Sequence, residues 1–535
     1  MKLHNLLYPA CVGIVFSLLS CEKDSGGTSS IVSPVATFPL ETVSVSINSA
    51  EEIAVMEGFG ASDCWLPAQV GKYWTSNRAY LSRLLFSREI KDGQPAGIGL
   101  SQWRVNLGAG TAEQGDASGI DANNRAECFL KVGSDEYDWK KCAGQRYFME
   151  QAKQYGCESF VLFSNSPLVR WTQNGKGYSA GYGYANLKPV YFDDFAGYLA
   201  DVAEHFNSNG YNVTHISPVN EPQHNWDGTS QEGTGWKNYQ IANLVKELDK
   251  ALTERNSTTK ILIPEAAHWS ALYEVVGASD RSDQIRAFFN PASDNYVGNL
   301  SHVDALAGGH SYWSFDNWDD MRADRRKVSD AAKAVGIRLW QTEWSMLDKE
   351  PSEIGITYDE MSEFDIAHYM SKIIHNDITV AGCTSWAYWT AMSVERYGQK
   401  NRFELIKVTP SGGNYSDDFT TGGTVTPTDN LWVLGNYSLF VRPGYKRVSM
   451  TIPESKDFFG SAYVSPDGST IVAVFTNSDK KTGVSVGGSL HDGRKPKSVW
   501  RYTTSATKHL QGDQFNPADD VFLDPYSVTT VVYSF

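Results

Sequence analysis

Two glutamates stand in settings where a carboxyl group can act on a bound substrate. Glu221 lies within Ser217-Pro218-Val219-Asn220-Glu221-Pro222-Gln223-His224, just after a short strand-like run at residues 211–216. Glu343 lies near the end of a second such run, Ile337-Arg338-Leu339-Trp340-Gln341-Thr342-Glu343-Trp344. One carboxylate at a strand end more often caps a backbone or pairs with a cation. Two of them, each among amide and aromatic side chains, suit glycoside hydrolysis, in which one carboxyl protonates the leaving oxygen and the other attacks the anomeric carbon. Glu265, His224, His268 and His310 also fall at strand ends. A metal held by the three histidines is one reading of that set, but histidines in sugar sites usually donate hydrogen bonds, so neither a metal nor a cofactor is expected. CxxC and HExxH spacings, which would mark a zinc site, are missing from the sequence.

The elements that must position these groups alternate. A helical pattern over residues 192–206 precedes the run before Glu221, and another begins near Trp236. Further strand-like runs occupy residues 56–62, 97–106, 159–164, 260–265, 303–310 and 380–389. Helical patterns, such as residues 77–87 and 144–155, separate most of them. This alternation predicts an α/β fold, a closed (β/α)₈ TIM barrel whose catalytic groups project from the C-terminal ends of the strands. The polar stretch over residues 108–140 reads as a long loop at that face, where long loops often carry function. After Arg442 the period changes to short, β-branched runs at residues 461–465, 470–475, 498–502 and 527–533, broken by turns such as Pro466-Asp467-Gly468. They predict an all-β sandwich, which an early alternating run at residues 42–47 would join. The expected organisation is a signal peptide (1–21), a flexible tether (22–39), N-terminal sandwich strands (40–56), the catalytic barrel (57–441) and the C-terminal sandwich (442–535).

Composition narrows the partners. The 535 residues suffice for a large barrel and a second domain, and a hydrophobic share of 41% excludes general disorder. A formal charge of −15 disfavours nucleic acid. The 16 Trp and 27 Tyr supply flat faces that cover the C–H faces of sugar rings, although many must serve the core. At the N-terminus, Lys2 and the apolar run at residues 6–19 form an export segment too short to span a membrane comfortably. It ends in Leu18-Leu19-Ser20-Cys21, which resembles a bacterial lipoprotein cleavage box and implies lipidation of Cys21; an ordinary secretory signal is the alternative. The following Glu22-Lys23-Asp24 resembles the acidic tag of surface-exported Bacteroidetes lipoproteins. The expected location is therefore the cell envelope, anchored by lipid to the outer membrane and facing outward. Cys128 and Cys142 lie close together in a polar insertion and form a candidate disulfide, whereas Cys64, Cys157 and Cys383 read as buried thiols.

Several motifs in fixed order resemble glycoside hydrolase family 30, in the large clan of retaining barrel enzymes. They are Gly58-Phe59-Gly60-Ala61-Ser62, Trp103-Arg104-Val105-Asn106, Ser164-Asn165-Ser166-Pro167, Asn220-Glu221-Pro222, His310-Ser311-Tyr312 and Gln341-Thr342-Glu343-Trp344. Leu434-Gly435-Asn436-Tyr437-Ser438-Leu439-Phe440-Val441-Arg442-Pro443-Gly444 adds a fairly specific junction between barrel and sandwich. The resemblance implies that Glu221 is the general acid/base and Glu343 the nucleophile. It also implies that Asn220 donates to the sugar 2-OH, while Tyr312 and Arg104 support Glu343. For Arg104 and Tyr312 the competing readings are an internal ion pair and simple packing. Trp386 and Trp389 are candidates for the floor of the scissile-sugar subsite, and Asp63 for binding its hydroxyls. Trp171, Trp226, Trp269, Trp313, His268 and His310 are further candidate substrate contacts, with core packing as the competing reading of each Trp. The run at residues 106–116 with the loop Arg125-Ala126-Glu127-Cys128 resembles the endo-β-1,6-galactanase branch, so the expected substrate is β-1,6-galactan, as in arabinogalactan side chains. A β-1,6-glucan or other β-glycoside is the runner-up. A surface protein that binds glycan without cleaving it is the rival of another class.

Overall fold

The structure is a computed structural model that describes residues 31–535 apart from Ala180 and Tyr182. The expected signal segment with Cys21, and the first half of the tether, lie outside the described residues. Eight strands close a parallel barrel: Gly58–Ser62, Gln102–Asn106, Ser159–Phe163, Val213–Ser217, Lys260–Ala266, Val303–His310, Arg338–Glu343 and Ser385–Tyr388. With the helices between them they make the (β/α)₈ fold that the alternation predicts. Such a sheet is buried on both faces, so its strands are near-continuous apolar runs and the helices outside must be amphipathic. The helix Phe192–Ser208 accordingly buries Phe195, Leu199, Val202 and Phe206 on one side. The helix Asn238–Glu254 does the same with Ile241, Leu244, Val245, Leu248 and Leu252.

The eighth strand is shorter than its apolar run. Asp377–Ala381 continues the preceding helix as a wider π-type turn, and Gly382 ends it at φ +83°. Only a residue without a Cβ takes that left-handed conformation cheaply, so the strand starts late. After this strand comes a small sheet that the sequence reading passed over, formed by Met392–Ser393, Ile406–Pro410 and Gly423–Pro427. It rises at the barrel mouth.

The second unit is a nine-stranded sheet among the described residues. Leu40–Val55 belongs to it although the barrel separates it from its neighbours in sequence. Part of this long strand runs antiparallel to Lys446–Thr451, and part runs parallel to Gly483–Ser489. The strand Thr470–Asn477 shows how the sheet makes two cores at once. Ile471, Ala473 and Phe475 face the core of the sheet itself, while Val472 and Val474 join the core shared with the barrel. That division is the period-two alternation of a strand. Four strands of this unit had no clear β-branched signal: Lys446–Thr451, Gly483–Ser489, Lys508–Phe515 and Val521–Leu523. At the junction Arg442 donates to both oxygens of Glu158, at 2.9 and 2.6 Å, and to the Ser438 carbonyl at 2.6 Å.

Cys128 and Cys142 are not bonded to each other, which corrects the disulfide expectation. The Cys128 thiol faces the Leu130 carbonyl at 3.7 Å, and the Cys142 thiol faces the Glu127 carbonyl at 3.5 Å. Each thiol spends its weak donor on a local carbonyl, and burial pushes Cys128 up to about 12. No helix among the described residues is long and apolar enough to cross a membrane.

Candidate active site

The groups singled out by spacing converge at the C-terminal mouth of the barrel. Past the fourth strand the chain turns sharply at Glu221, whose φ of +43° is in the left-handed region. A non-glycine residue there is uncommon and needs support from its surroundings. Part of that support is its N–H, which donates to the Glu265 carbonyl at 2.9 Å. Glu265, near the end of the fifth strand, is also left-handed, at φ +56°. His310 and Glu343 are the last residues of the sixth and seventh strands, and Arg104 sits in the second.

One carboxylate oxygen of Glu221, one of Glu343 and a ring nitrogen of His310 lie within 4.8 Å of one another. Arg104 donates from Nη1 to Glu343 Oε2 at 2.7 Å and from Nη2 to Asn220 Oδ1 at 2.9 Å. The amide N–H groups of Asn220 are therefore what remain to donate to a ligand. Tyr312 donates its hydroxyl to Glu343 Oε1 at 3.1 Å. His310 Nδ1 is 2.9 Å from Glu221 Oε1, and its Nε2 is 3.4 Å from Glu265 Oε2. Glu265 lies beneath the pair with no exposure at all, 3.7 Å from Arg104 Nη2 and bonded by the hydroxyls of Ser217, at 2.5 Å, and Thr342. The Phe163 ring stacks 3.6 Å beneath the Arg104 guanidinium. The Glu221, His310 and Glu343 donor set resembles a metal site in composition. Here two cations of the protein, Arg104 and His310, already face its carboxylates.

The charges settle where the proton rests. Three buried carboxylates face two cationic groups, so burial and charge pull each group in opposite directions. Burial opposes charge on His310, yet Glu343, Glu221 and Glu265 together push it up to about 9. Burial would raise Glu265, but Arg104 and His310 hold it down to about 2. Burial also raises Glu221, and the hydrogen bond and charge of His310 outweigh it, so Glu221 lies below its ordinary range. Glu343 lies above its ordinary range because burial, with Glu221 beside it, exceeds the pull of His310 and Arg104. Sequence reasoning puts the mobile proton on Glu221. The opposite shifts of the two groups favour His310 as its holder instead, one hydrogen bond away.

Glu221, Glu343, Asn220 and Tyr312 line an open cleft of about 1170 Å³, together with Trp226, Trp313 and Trp389. Asp121 to Asn124, in the loop over residues 108–140, form part of its wall. Other candidates lie elsewhere. Asp63 is fully buried and accepts from the Asn106 N–H at 2.8 Å and from Gln145 at 2.9 Å, so it braces the first strand end and cannot reach a sugar hydroxyl. Trp386 is fully buried with its indole N–H on Asp377 at 2.9 Å, and it packs below the floor. Trp171 stacks on Tyr191 on the flank of the barrel, away from the cleft. Trp269 is core, with its N–H on Ser311. His310 lies under the cleft between carboxylates. His268 opens into a neighbouring recess, where it meets Trp313 and His224.

Sequence reasoning missed three groups. Trp65 lines the cleft edge-on to Trp389 at 5.2 Å, and its place just past the first strand was the available signal. Glu265 was noted only as a strand-end residue. Glu232 fastens the long loop by accepting from the Ala109 N–H at 2.9 Å and from Thr111 at 2.5 Å, and its sequence setting carries no sign of this.

Comparison with known proteins agrees with this fold. An endo-β-1,6-galactanase of Hypocrea rufa is 25% identical over 378 residues, covering 66% of this chain and 68% of that protein. A solved conserved exported protein from Bacteroides fragilis is 30% identical with a TM-score of 0.84, covering 91% of this chain and all of that one. The catalytic domain of a family 30 xylanase C from Talaromyces cellulolyticus shares the fold, with a TM-score of 0.65 at 18% identity, over 92% of this chain and all of that domain. Residues 42–402 match the family described as O-glycosyl hydrolase family 30. With the barrel, the β domain and the paired glutamates in place, that match makes this chain a member of O-glycosyl hydrolase family 30.

Proposed function

We propose that this glycoside hydrolase cleaves β-1,6-linked galactan by double displacement, with Glu343 as nucleophile and Glu221 as general acid/base. One observation carries the mechanism: a Glu221 oxygen and a Glu343 oxygen lie within 4.8 Å. Carboxyl groups sit ~5–5.5 Å apart in retaining enzymes and ~6.5–9.5 Å apart in inverting ones, which need room for a water between them. In the first step a Glu343 oxygen bonds to the anomeric carbon as the glycosidic C–O bond breaks. The departing oxygen takes from Glu221 a proton that His310 has passed to it across their hydrogen bond, which leaves Glu221 ionised and His310 neutral. Arg104 and Tyr312 hold the attacking carboxylate in place, and Asn220 donates to the 2-OH of the sugar. Once Glu343 is esterified its charge is gone, and Glu221 is free to take a proton from water. That water attacks the same carbon, breaks the ester and frees Glu343.

The galactan preference draws support from the similarity to the Hypocrea rufa endo-β-1,6-galactanase and from the stretches at residues 106–116 and 125–128. A hydroxyl contact at the sugar 4-position can discriminate galactose from glucose strongly. The Leu18–Cys21 box supports a lipid anchor holding the enzyme on the outer membrane, next to extracellular polysaccharide. Product analysis on β-1,6- and β-1,3-linked galactans and glucans tests the reading, with Glu343→Ala as control. The expected result is cleavage of β-1,6-galactan and a loss of at least about 10³-fold in the variant, which stays folded. Cleavage of β-1,6-glucan alone would replace the substrate. Binding without cleavage of any polymer would replace the enzyme reading with a surface glycan-binding protein.

A further inference from the structure

The catalytic cleft continues past the glutamates onto two exposed aromatic rings. Tyr397, in the loop after Met392–Ser393, lines the same cleft as Glu221 and Glu343. It is 78% exposed, and Tyr415, in the turn joining Ile406–Pro410 to Gly423–Pro427, is 68% exposed. Their rings meet edge-on with centroids 5.5 Å apart. Two large aromatic rings held together in water, with neither packed into a core, leave apolar area for something to cover.

The pair is built to stay in place. Arg396, beside Tyr397, donates to the Asn414 carbonyl at 2.9 Å, the Ser416 carbonyl at 3.2 Å and Asp417 Oδ1 at 2.6 Å. It thereby ties the loop of Tyr397 to the turn of Tyr415. Asp417 also accepts from Asn123 at 2.9 Å, which joins both to the long loop on the cleft wall. Tyr397 itself sits at φ +54°, a left-handed conformation that persists where surrounding contacts impose it. These ties hold the two loops together before any ligand arrives, which lowers the ordering cost of binding.

We propose that Tyr397 and Tyr415 form a distal subsite that stacks a sugar ring of the polymeric substrate, several units from the scissile bond. The occupant follows from continuity: the surface is the outer end of the cleft that takes the glycan at Glu221 and Glu343. At about 1170 Å³ the cleft exceeds the roughly 300–1,000 Å³ of a small-molecule pocket, so it has room for a run of sugars. The eighth strand, which leads to Tyr397, is four places from the fourth around the ring, so the rings rise on the side of the mouth away from the proton donor. A ring face there needs no hydroxyl contacts specific to one sugar, which suits grip on a chain. The enzyme would thus favour internal cleavage of long chains.

This inference rests on the proposed glycan substrate, and the test separates the two. The double variant Tyr397→Ala/Tyr415→Ala is compared with the wild type on polymeric β-1,6-galactan and on short β-1,6-galacto-oligosaccharides. The ratio of kcat/KM for polymer over short substrate should fall about tenfold, mainly through KM. Tyr397→Phe keeps the ring and should keep the ratio. An equal loss on both substrates, or no loss on either, would overturn the subsite, and a loss with Tyr397→Phe would replace stacking with a hydroxyl contact. If β-1,6-glucan proves to be the substrate, the same comparison on glucans applies. If no polymer is cleaved, retardation in gels containing galactan or glucan still decides: the subsite predicts weaker retardation of the double variant, and equal retardation refutes it.

Discussion

At the scale of single residues, the chemistry depends on a buried carboxylate that never meets the sugar. Glu265 faces both Arg104 and His310 from below. Despite burial it is held down to about 2, so it contributes stability above its ordinary pKa that is lost as the pH falls toward 2. His310 is the opposite case. Pushed up to about 9, it contributes stability below its ordinary pKa that is lost as the pH rises through 9. The groups that push it up come from three other strand ends: Glu343, Glu221 and Glu265. Replacing Glu265 by Gln removes one of the three favourable partners. The alkaline limb of kcat/KM, expected near pH 9 in the wild type, should then move down by about one unit or more. A loss of activity with an unmoved limb would reduce Glu265 to a structural role.

At the scale of elements, two helices near the cleft meet through glycines. The helix Leu66–Tyr73 follows Trp65, and it crosses Ala143–Gln154 where Gly71 faces Gly144. A Cβ on Gly144 would stand 1.9 Å from the Ala68 carbonyl oxygen, which is backbone and cannot swing aside. Gly144→Ala should therefore cost about 1–3 kcal/mol in chemical denaturation, and should lower activity by displacing Trp65. An unchanged midpoint would mean that the helices separate without penalty. The strands and helices of the barrel were legible because their apolar residues repeat with the right periods, as in Phe195, Leu199, Val202 and Phe206. The small sheet after Met392 was not, because its strands are two and five residues long, and an alternation as brief as Ile406 to Pro410 is too short to stand out from loop sequence. Trp386 and Asp63 were misplaced for a related reason. A strand-end position fixes where a residue begins, while its direction depends on neighbours that sequence does not name, such as Asp377 for Trp386 and Gln145 for Asp63.

At the scale of the whole molecule, barrel and β domain share one core. Tyr463, Val472, Val474 and Val528 of the large sheet pack into the same cluster as the barrel helices. A chain ending at Arg442 would expose that face and leave Leu40–Val55 without its partner Lys446–Thr451. It should fail to give soluble, active protein, and a soluble active barrel on its own would contradict a shared core. The paired glutamates were legible from the start, since both follow readable strands, but their separation is a property of the closed ring. That separation has a direct chemical consequence in the first sugar released. Nuclear magnetic resonance of the products in the first minutes of hydrolysis, before the anomers equilibrate, reads the configuration at the cleaved carbon. The expected product is the β-anomer, formed with retention at Glu343; first appearance of the α-anomer would mean inversion and would contradict the assignment of the two glutamates.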